Sequence, residues 1–212
     1  IIDQGIRGLV TLTLAMPNRV LPNYSDSGFV NVVGQASLYE VALRRYGDPR
    51  YAGLIAQTKG DSLEALLVGT RPLPSAPAGG GGTANYTAAG YAVLQSGDGL
   101  DATWACLKYG PHGGGHGHPD KLNVILYTQQ KVLGIDPGTG KYGVPLHAGW
   151  QQASLAHNTL TVDEVNQTPT TGRCLAFVKE AGWSGVLADA GPVYTNLTYR
   201  RAAALVGPNL LI

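Results

Sequence analysis

The sequence predicts an α+β protein, with helices in its first part and an antiparallel β-sandwich after them. Three observations support this: apolar residues recur every three or four positions early on, a proline- and glycine-rich stretch follows, and short runs separated by turn signals come last. The expected divisions are 1–69 for the helical part, 70–90 for a linker or long loop, and 91–212 for the sandwich. Because the last residues resemble an unfinished strand, we expect a fragment truncated at both ends.

Three helices are expected in the first part. Residues 31–46 carry apolar side chains at helical spacing, and Gly47 is placed to end that helix. The range 48–57 starts with Asp-Pro, which offers an N-cap and a first-turn proline. The range 61–69 starts with Asp-Ser-Leu-Glu, which resembles a capping box. The first seventy residues therefore indicate helical hairpins.

The stretch 70–83 contains repeated proline and glycine, which suit neither the interior of a helix nor that of a strand. Beyond it, short runs rich in Val, Tyr, Leu and Thr are bounded by turn residues and predict the strands of a sandwich. These runs are 91–95, 102–109, 122–127, 159–162, 186–190 and 199–206.

Composition excludes several classes of function. Only 14% of the residues are charged and the net charge is +1, so the chain lacks the basic field that would hold a nucleic acid. It has no run of eighteen apolar residues, which a transmembrane helix would need. Cys106 and Cys174 do not form a CxxC pair, so neither a zinc ribbon nor a dithiol redox motif is predicted.

A glycine-rich histidine loop is the strongest chemical signal. His116 and His118 lie in Gly-Gly-Gly-His-Gly-His-Pro-Asp, and in an extended loop they would project to the same side. This suits two metal ligands, or one ligand beside a catalytic group. Asp136 and His157 each lie where a predicted strand meets a turn, so side chains from separate strand ends could complete a zinc site. The alternative is an ordinary surface turn that binds nothing.

Four ordered blocks in the β-rich part resemble the heparinase II/III-like polysaccharide lyases. The blocks are 116–123, 136–142, 157–159 and Gln167. The resemblance extends from about Tyr91 to the end, and more weakly to 21–27 and the helices that follow. The family includes heparin, heparan sulfate and alginate lyases, and the loop 141–150 is most similar to oligoalginate lyases.

The resemblance implies a fold and an activity. The fold would be the C-terminal helices of an (α/α) toroid followed by an antiparallel β-sandwich, with a glycan cleft between them. The activity would be β-elimination on a glycan that contains uronic acid, either alginate or a glycosaminoglycan. The implied partner is an acidic polysaccharide or oligosaccharide, and the implied location is the periplasm, the cell envelope or outside the cell. Whether the protein forms a homodimer stays open.

The resemblance also assigns roles to individual residues. His118, Asp136 and His157 match the zinc ligands of the family, whose Zn²⁺ is regarded as structural. His116 matches the histidine that faces the cleft and is the catalytic candidate, in the role of a general base or of a donor near the uronate carboxylate. The tyrosine that the family uses as an acid is expected before Ile1, so the chain is expected to lack part of its own active site.

Weaker assignments concern residues near these blocks. Tyr142 and Trp150 are candidates for substrate binding, because aromatic rings stack on sugars. His147, on the same loop, could stack in the same way. A core position for Trp150 is an equally acceptable interpretation. Asp120 and Asn123 could orient the metal-binding histidines, although Asp120 also suits a simple turn cap.

Two other functions stay open from the sequence. A zinc-stabilised carbohydrate-binding β-module without catalysis would use the same blocks. A zinc hydrolase would need a metal-bound water and an acidic base nearby, and the sequence contains no HExxH motif. The lyase is therefore the preferred prediction.

Overall fold

The computed structural model of the protein describes residues 14–58, 63–69, 71–75 and 81–212. The chain folds as two compact units: Ile1–Leu21 with Phe29–Gly81, and Pro22–Gly28 with Gly82–Ile212. The short segment 22–28 therefore belongs to the second unit, although it lies within the range that the sequence assigns to the helical part. This segment supplies one residue of the candidate site.

The first unit contains a 3-10 turn at Val32–Gly34 and the helices α1 (Ala36–Tyr46), α2 (Arg50–Ile55) and α3 (Leu63–Val68). As predicted, Gly47 ends α1: it has a φ of 68° and its N–H donates to the carbonyl of Leu43. Residue 61 of the expected capping box lies outside the described residues. No helix within the described ranges is long and apolar enough to cross a membrane.

The core of the first unit comes from α1 and α2, which pack their apolar faces together. Tyr39 and Tyr51 are fully buried, with ring centroids 6.0 Å apart. Ala42, Leu54 and Ile55 belong to the same apolar cluster. The helical spacing of apolar residues in 31–46 therefore marks the buried face of α1, as the sequence predicted.

The second unit contains two antiparallel sheets. In the described residues, the first sheet has the strand order β1-β2-β3-β4-β5 and the second has β6-β7-β8-β9. The strands are β1 (Ala84–Tyr86), β2 (Tyr91–Ser96), β3 (Thr103–Lys108), β4 (Asn123–Thr128), β5 (Lys131–Gly134), β6 (Arg173–Glu180), β7 (Trp183–Asp189), β8 (Arg200–Val206) and β9 (Leu210–Leu211).

The two sheets pack face to face around one apolar core. Leu94 on β2 and Leu107 on β3 are buried in the same cluster as Val186 on β7 and Leu205 on β8. Side chains alternate along β4 between buried and half-buried positions, as expected when one face of a strand packs on a core. The predicted α+β fold with an antiparallel β-sandwich is thus confirmed.

The predicted strand at 159–162 is wrong. This range is irregular, and an isolated bridge between Val162 and Val165 closes a turn at 163–164. Side chains take the place of a neighbouring strand: the N–H of Leu160 donates to the hydroxyl of Tyr199 (3.3 Å), and its carbonyl accepts from Nε2 of Gln167 (3.1 Å). Because these backbone groups are already hydrogen-bonded, the segment does not require hydrogen bonds from a neighbouring strand.

Three strands lie outside the predicted strands. They are β1, β5 and β6, and β1 falls within the range assigned to the linker. The last residues, expected as one unfinished strand, instead contain the end of β8, a turn and β9. β1 and β9 have three and two residues, which is too short for a periodic signal. β6 is mostly exposed or half-buried and does not alternate strictly.

Gly90 provides a sharp test of the sandwich. It has a φ of +75°, and a Cβ atom there would lie 1.9 Å from Cα of Gly110. We expect Gly90→Ala to lower the free energy of unfolding of the β-unit by about 3 kcal/mol or more. The alanine would be strained at this positive φ, and the backbone at Gly110 would also have to move. Gly82→Ala is the control: its φ is +66° but its Cβ would meet no atom within 4 Å, so about 1 kcal/mol of strain is expected. Equal losses in urea unfolding would contradict this packing.

Candidate active site and metal centre

The candidate site lies entirely in the second unit and is built from loops at strand ends. Segment 22–28, the β3–β4 connection and the long β5–β6 connection supply its side chains. These loops bring together four histidines and three aspartates: His116, His118, His147, His157, Asp26, Asp120 and Asp136.

Asp26 joins the two histidines of the glycine-rich loop. Its Oδ2 lies 3.0 Å from Nδ1 of His116, and its Oδ1 lies 3.0 Å from Nε2 of His118. Nε2 of His147 is 3.7 Å from the same Oδ1. The Asp26 side chain is buried, whereas that of His116 is 79% exposed. One buried carboxylate therefore positions one exposed ring and one buried ring.

Electrostatics favour an ionised Asp26 and a neutral His118. Burial alone would raise the pKa of Asp26, but hydrogen bonds from His118 and His116 lower it overall. Burial lowers the pKa of His118, and the bond to Asp26 offsets this only in part. A neutral imidazole keeps a lone pair with which it can bind a metal.

Tyr142 lies beside His116 at the exposed side of the site. Its hydroxyl is 3.3 Å from Nδ1 of His116, and its ring meets the ring of His147 edge-on at a centroid distance of 5.1 Å. Nδ1 of His147 is in turn 2.9 Å from Oγ1 of Thr139. Partial burial and the negative charge of Asp26 raise the pKa of Tyr142. Tyr142 therefore keeps its proton at neutral pH.

Asp136 and His157 form the buried part of the site. Nδ1 of His157 lies 2.9 Å from Oδ2 of Asp136, and both side chains are fully buried. Nδ2 of Asn123 donates to the same Oδ2, and the N–H of Gly138 donates to Oδ1 at 2.8 Å. Asn123 therefore orients Asp136, as an outer partner of a metal ligand would.

The donor set of this cluster fits a zinc ion. Ligand atoms of Asp120, Asp136 and His157 lie within 4.8 Å of one another. Two buried ring nitrogens, Nδ1 of His118 and Nε2 of His157, find no hydrogen-bond partner in the described structure, and the two rings are 5.2 Å apart. Buried nitrogen and carboxylate donors with unused lone pairs are the ligands that Zn²⁺ binds in proteins.

The structure thus brings His118, Asp136 and His157 into one region and adds Asp120 to the possible ligands. Asp120 is buried, and Nζ of Lys108 lies 2.7 Å from its Oδ1. The sequence treated Asp120 as an orienting residue or a turn cap, because nothing in its spacing indicated that it approaches Asp136.

Two aromatic predictions have different outcomes. Tyr142 is at the site, beside His116. Trp150 is 47% exposed, which excludes the alternative core position, and its role in substrate binding stays a prediction. It lies in the short π-helical segment His147–Gln151, which starts at His147 of the candidate site.

The family model described as Heparinase II/III-like, C-terminal matches residues 78–199. The chain belongs to the heparinase II/III-like family. No curated protein sequence matches it significantly.

Solved structures show the same fold in longer heparinase proteins. A heparinase III gene product has a TM-score of 0.72 and 21% identity over 93% of this chain. Heparan sulfate lyase HepC from Pedobacter heparinus has a TM-score of 0.72 and 20% identity over 95%, and another heparinase III has 0.72 and 21% over 95%. This chain spans 29%, 30% and 32% of their lengths, respectively.

Asp26 is the site residue that sequence reasoning missed in this heparinase II/III-like chain. Its signal was present, because 21–27 belongs to the weaker part of the family resemblance. However, 90 positions separate Asp26 from His116, and no local pattern joins them. His147 was expected only to stack on a sugar ring, and its approach to Asp26 was not foreseen.

The lowered pKa of Asp26 makes its contribution to stability depend on pH. Because the folded pKa is lowered, the contribution is present above the ordinary Asp pKa of about 4 and is lost as the pH falls through the folded value. We expect Asp26→Asn to lower the free energy of unfolding of metal-free protein by about 1–3 kcal/mol at pH 7, with the difference shrinking at pH 3. Urea titrations at both pH values measure this. Asp98→Asn, at an exposed aspartate, is the control, and an Asp26→Asn loss that is equal at both pH values would contradict the assignment.

Proposed function

We propose that this chain carries part of the active site of a lyase that cleaves a uronate-containing glycan, alginate or a glycosaminoglycan, by β-elimination. The observation that supports this most is the exposed pair of His116 and Tyr142, held by the buried carboxylate of Asp26. Membership of the heparinase II/III-like family supports the same reaction class. The similar structures named as heparinases and a heparan sulfate lyase favour an acidic glycan.

His116 suits the role of general base. An ionised carboxylate only accepts hydrogen bonds, so the contact with Asp26 favours a proton on Nδ1 of His116. The lone pair is then on Nε2, in a side chain that is 79% exposed. This arrangement resembles other aspartate–histidine pairs, in which the carboxylate fixes the tautomer and orientation of the base.

Tyr142 suits the role of general acid. Its raised pKa keeps the phenol protonated at neutral pH, and its hydroxyl lies close to the proposed base. In the reaction, Nε2 of His116 takes the C5 proton, the electron pair of that C–H bond forms the C4–C5 double bond, and the C4–O bond breaks. The departing oxygen takes the proton of Tyr142. General acid and base groups typically contribute about 100- to 10,000-fold each.

We also propose that His118, Asp136 and His157 hold a structural Zn²⁺, with Asp120 as a fourth candidate ligand. The unused ring nitrogens of His118 and His157 and the close approach of Asp120 to Asp136 support this. When bound, the ion would cross-link the histidine loop to the β5–β6 connection. Because only Gly117 separates His116 from His118, fixing His118 would also hold His116 in place.

The substrate class supports a location outside the cytoplasm. Polymeric uronates are met in the periplasm, at the cell envelope or in the medium, so we propose that the protein acts there. Fractionation of the source cells tests this location, and protein found only in the cytoplasmic fraction would contradict it.

The lyase activity is tested by the ultraviolet absorbance of the unsaturated uronate product. The natural full-length protein is incubated with alginate, heparan sulfate and hyaluronan. We expect product from at least one polymer, with turnover lowered about 100-fold or more in both His116→Ala and Tyr142→Phe.

Tyr46→Phe is the control, because Tyr46 is also an exposed tyrosine but lies on α1 and is not in the histidine site. Binding of polymer without product would instead favour a carbohydrate-binding module. Full turnover in both site variants would exclude the proposed acid and base.

The metal proposal is tested by elemental analysis of purified variants. We expect about one zinc per chain in the wild type and in His116→Ala, and loss of zinc in His118→Ala and His157→Ala. Chelation should lower the melting temperature of the wild type but not that of the two ligand variants. Equal zinc content in all four proteins would contradict the ligand assignment.

A further inference from the structure

A polar cavity lies in the sandwich, separate from the histidine site. It has a volume of about 500 Å³ and is formed by the start of β6, the end of β7, the turn 191–198 and the start of β8. Its polar side chains are Thr171, Arg173, Asp189, Thr198 and Arg200. None of the histidines or aspartates of the candidate active site lines it.

Strand register places two arginines on either side of one aspartate. Arg173 on β6 is the direct partner of Asp189 on β7, and Asp189 is the direct partner of Arg200 on β8. Directly opposed residues of antiparallel strands project from the same face of the sheet. The cavity therefore presents two guanidinium groups and one carboxylate, with a net charge of about +1 from these three side chains.

The carboxylate of Asp189 is already hydrogen-bonded. Its Oδ1 accepts the N–H of Gly191 at 2.9 Å, and its Oδ2 accepts Nε of Arg200 at 3.0 Å. These bonds lower the pKa of Asp189, the bond from Gly191 first and that from Arg200 next. Asp189 thus stays ionised at neutral pH and fixes the orientation of Arg200.

The arginines keep unused donors. Within the described ranges, no protein acceptor lies in hydrogen-bond contact with the guanidinium of Arg173 or with the two terminal nitrogens of Arg200. A guanidinium presents its N–H groups in a fixed fork that matches the paired oxygens of a carboxylate or sulfate. The cavity therefore offers N–H groups that can donate hydrogen bonds to an anion, and the hydroxyl groups of Thr171 and Thr198 lie beside them.

We propose that this cavity binds one acidic sugar unit, with Arg173 contacting its carboxylate or sulfate group. The volume suits a single small ligand, and the threonine hydroxyls and Asp189 suit the hydroxyl groups of a sugar. The subsite would hold a polymer away from the point of cleavage. This inference takes its ligand class from the proposed function, but it concerns a different set of residues.

The test is calorimetric binding, which does not depend on cleavage. An octasaccharide of heparan sulfate and an alginate oligomer of similar length are titrated into the full chain and into Arg173→Ala. We expect the Kd to rise about 10-fold in Arg173→Ala, and the wild-type affinity to fall as salt is added. Arg173→Lys should recover part of the affinity, since it keeps the charge but loses the fork.

Lys131→Ala is the matched control, because it removes one exposed positive charge on β5, outside the cavity. Weakened binding of both oligosaccharides would identify recognition of carboxylate, and weakened binding of heparan sulfate alone would identify recognition of sulfate. An unchanged Kd in Arg173→Ala, or an equal rise in Lys131→Ala, would overturn the subsite.

The same titration separates this inference from the lyase proposal. Arg173-dependent binding by this chain, together with no ultraviolet product from the natural full-length protein, would retain the subsite and reject the lyase. Product formation together with a Kd that does not change in Arg173→Ala would retain the lyase and reject the subsite.

Discussion

The contact between Asp26 and the two histidines of the glycine-rich loop is the interaction on which the candidate site depends. A buried carboxylate is costly unless it is paired, and Asp26 is paired with both His116 and His118. These bonds tie segment 22–28 to the β3–β4 connection. They also set what each ring can do: His118 faces the buried cluster, and His116 faces solvent.

This arrangement separates two kinds of chemistry by depth. The buried layer of Asp120, Asp136 and His157 combines carboxylates with unused nitrogen lone pairs, as metal sites do. The exposed layer of His116 and Tyr142 combines a potential base with a phenol that retains its proton. Asp26 bonds to His116 in the exposed layer and to His118, whose ring lies 5.2 Å from the His157 ring of the buried layer. A change in one layer is therefore expected to affect the other. If the proposed Zn²⁺ binds to the buried layer, it would influence His116 only through this link.

The fold could be predicted largely from local patterns. The helical spacing in 31–46 and the strands at 91–95 and 122–127 correspond to buried faces, and burial is what such patterns record. The wrong strand at 159–162 shows the limit of this reasoning. Its composition suits a strand, but Gln167 and Tyr199 satisfy its backbone from elsewhere in the chain. Short edge strands such as β1 and β9 carry too few residues to leave a period.

The site was predictable only where its residues lie in recognisable blocks. His116, His118, Asp136 and His157 were named as candidates in this way, and the structure brings them into one region, while their roles stay predictions. Asp26 and the approach of Asp120 to Asp136 were not, because pairings between distant segments depend on how loops return to the same strand ends. Nor was the pair of Arg173 and Arg200 in the polar cavity of the sandwich, because the two arginines lie on different strands and only the strand register brings them to either side of Asp189.

The most direct test of the central contact is the tautomer of His116, measured by NMR of protein labelled with nitrogen-15 in its histidine rings. The account predicts that, in the neutral ring, Nδ1 of His116 carries the proton, hydrogen-bonded to Asp26, and Nε2 is unprotonated. The signal should shift in Asp26→Asn. A proton on Nε2 in the neutral ring of the wild type would contradict the assignment of His116 as a base oriented by Asp26.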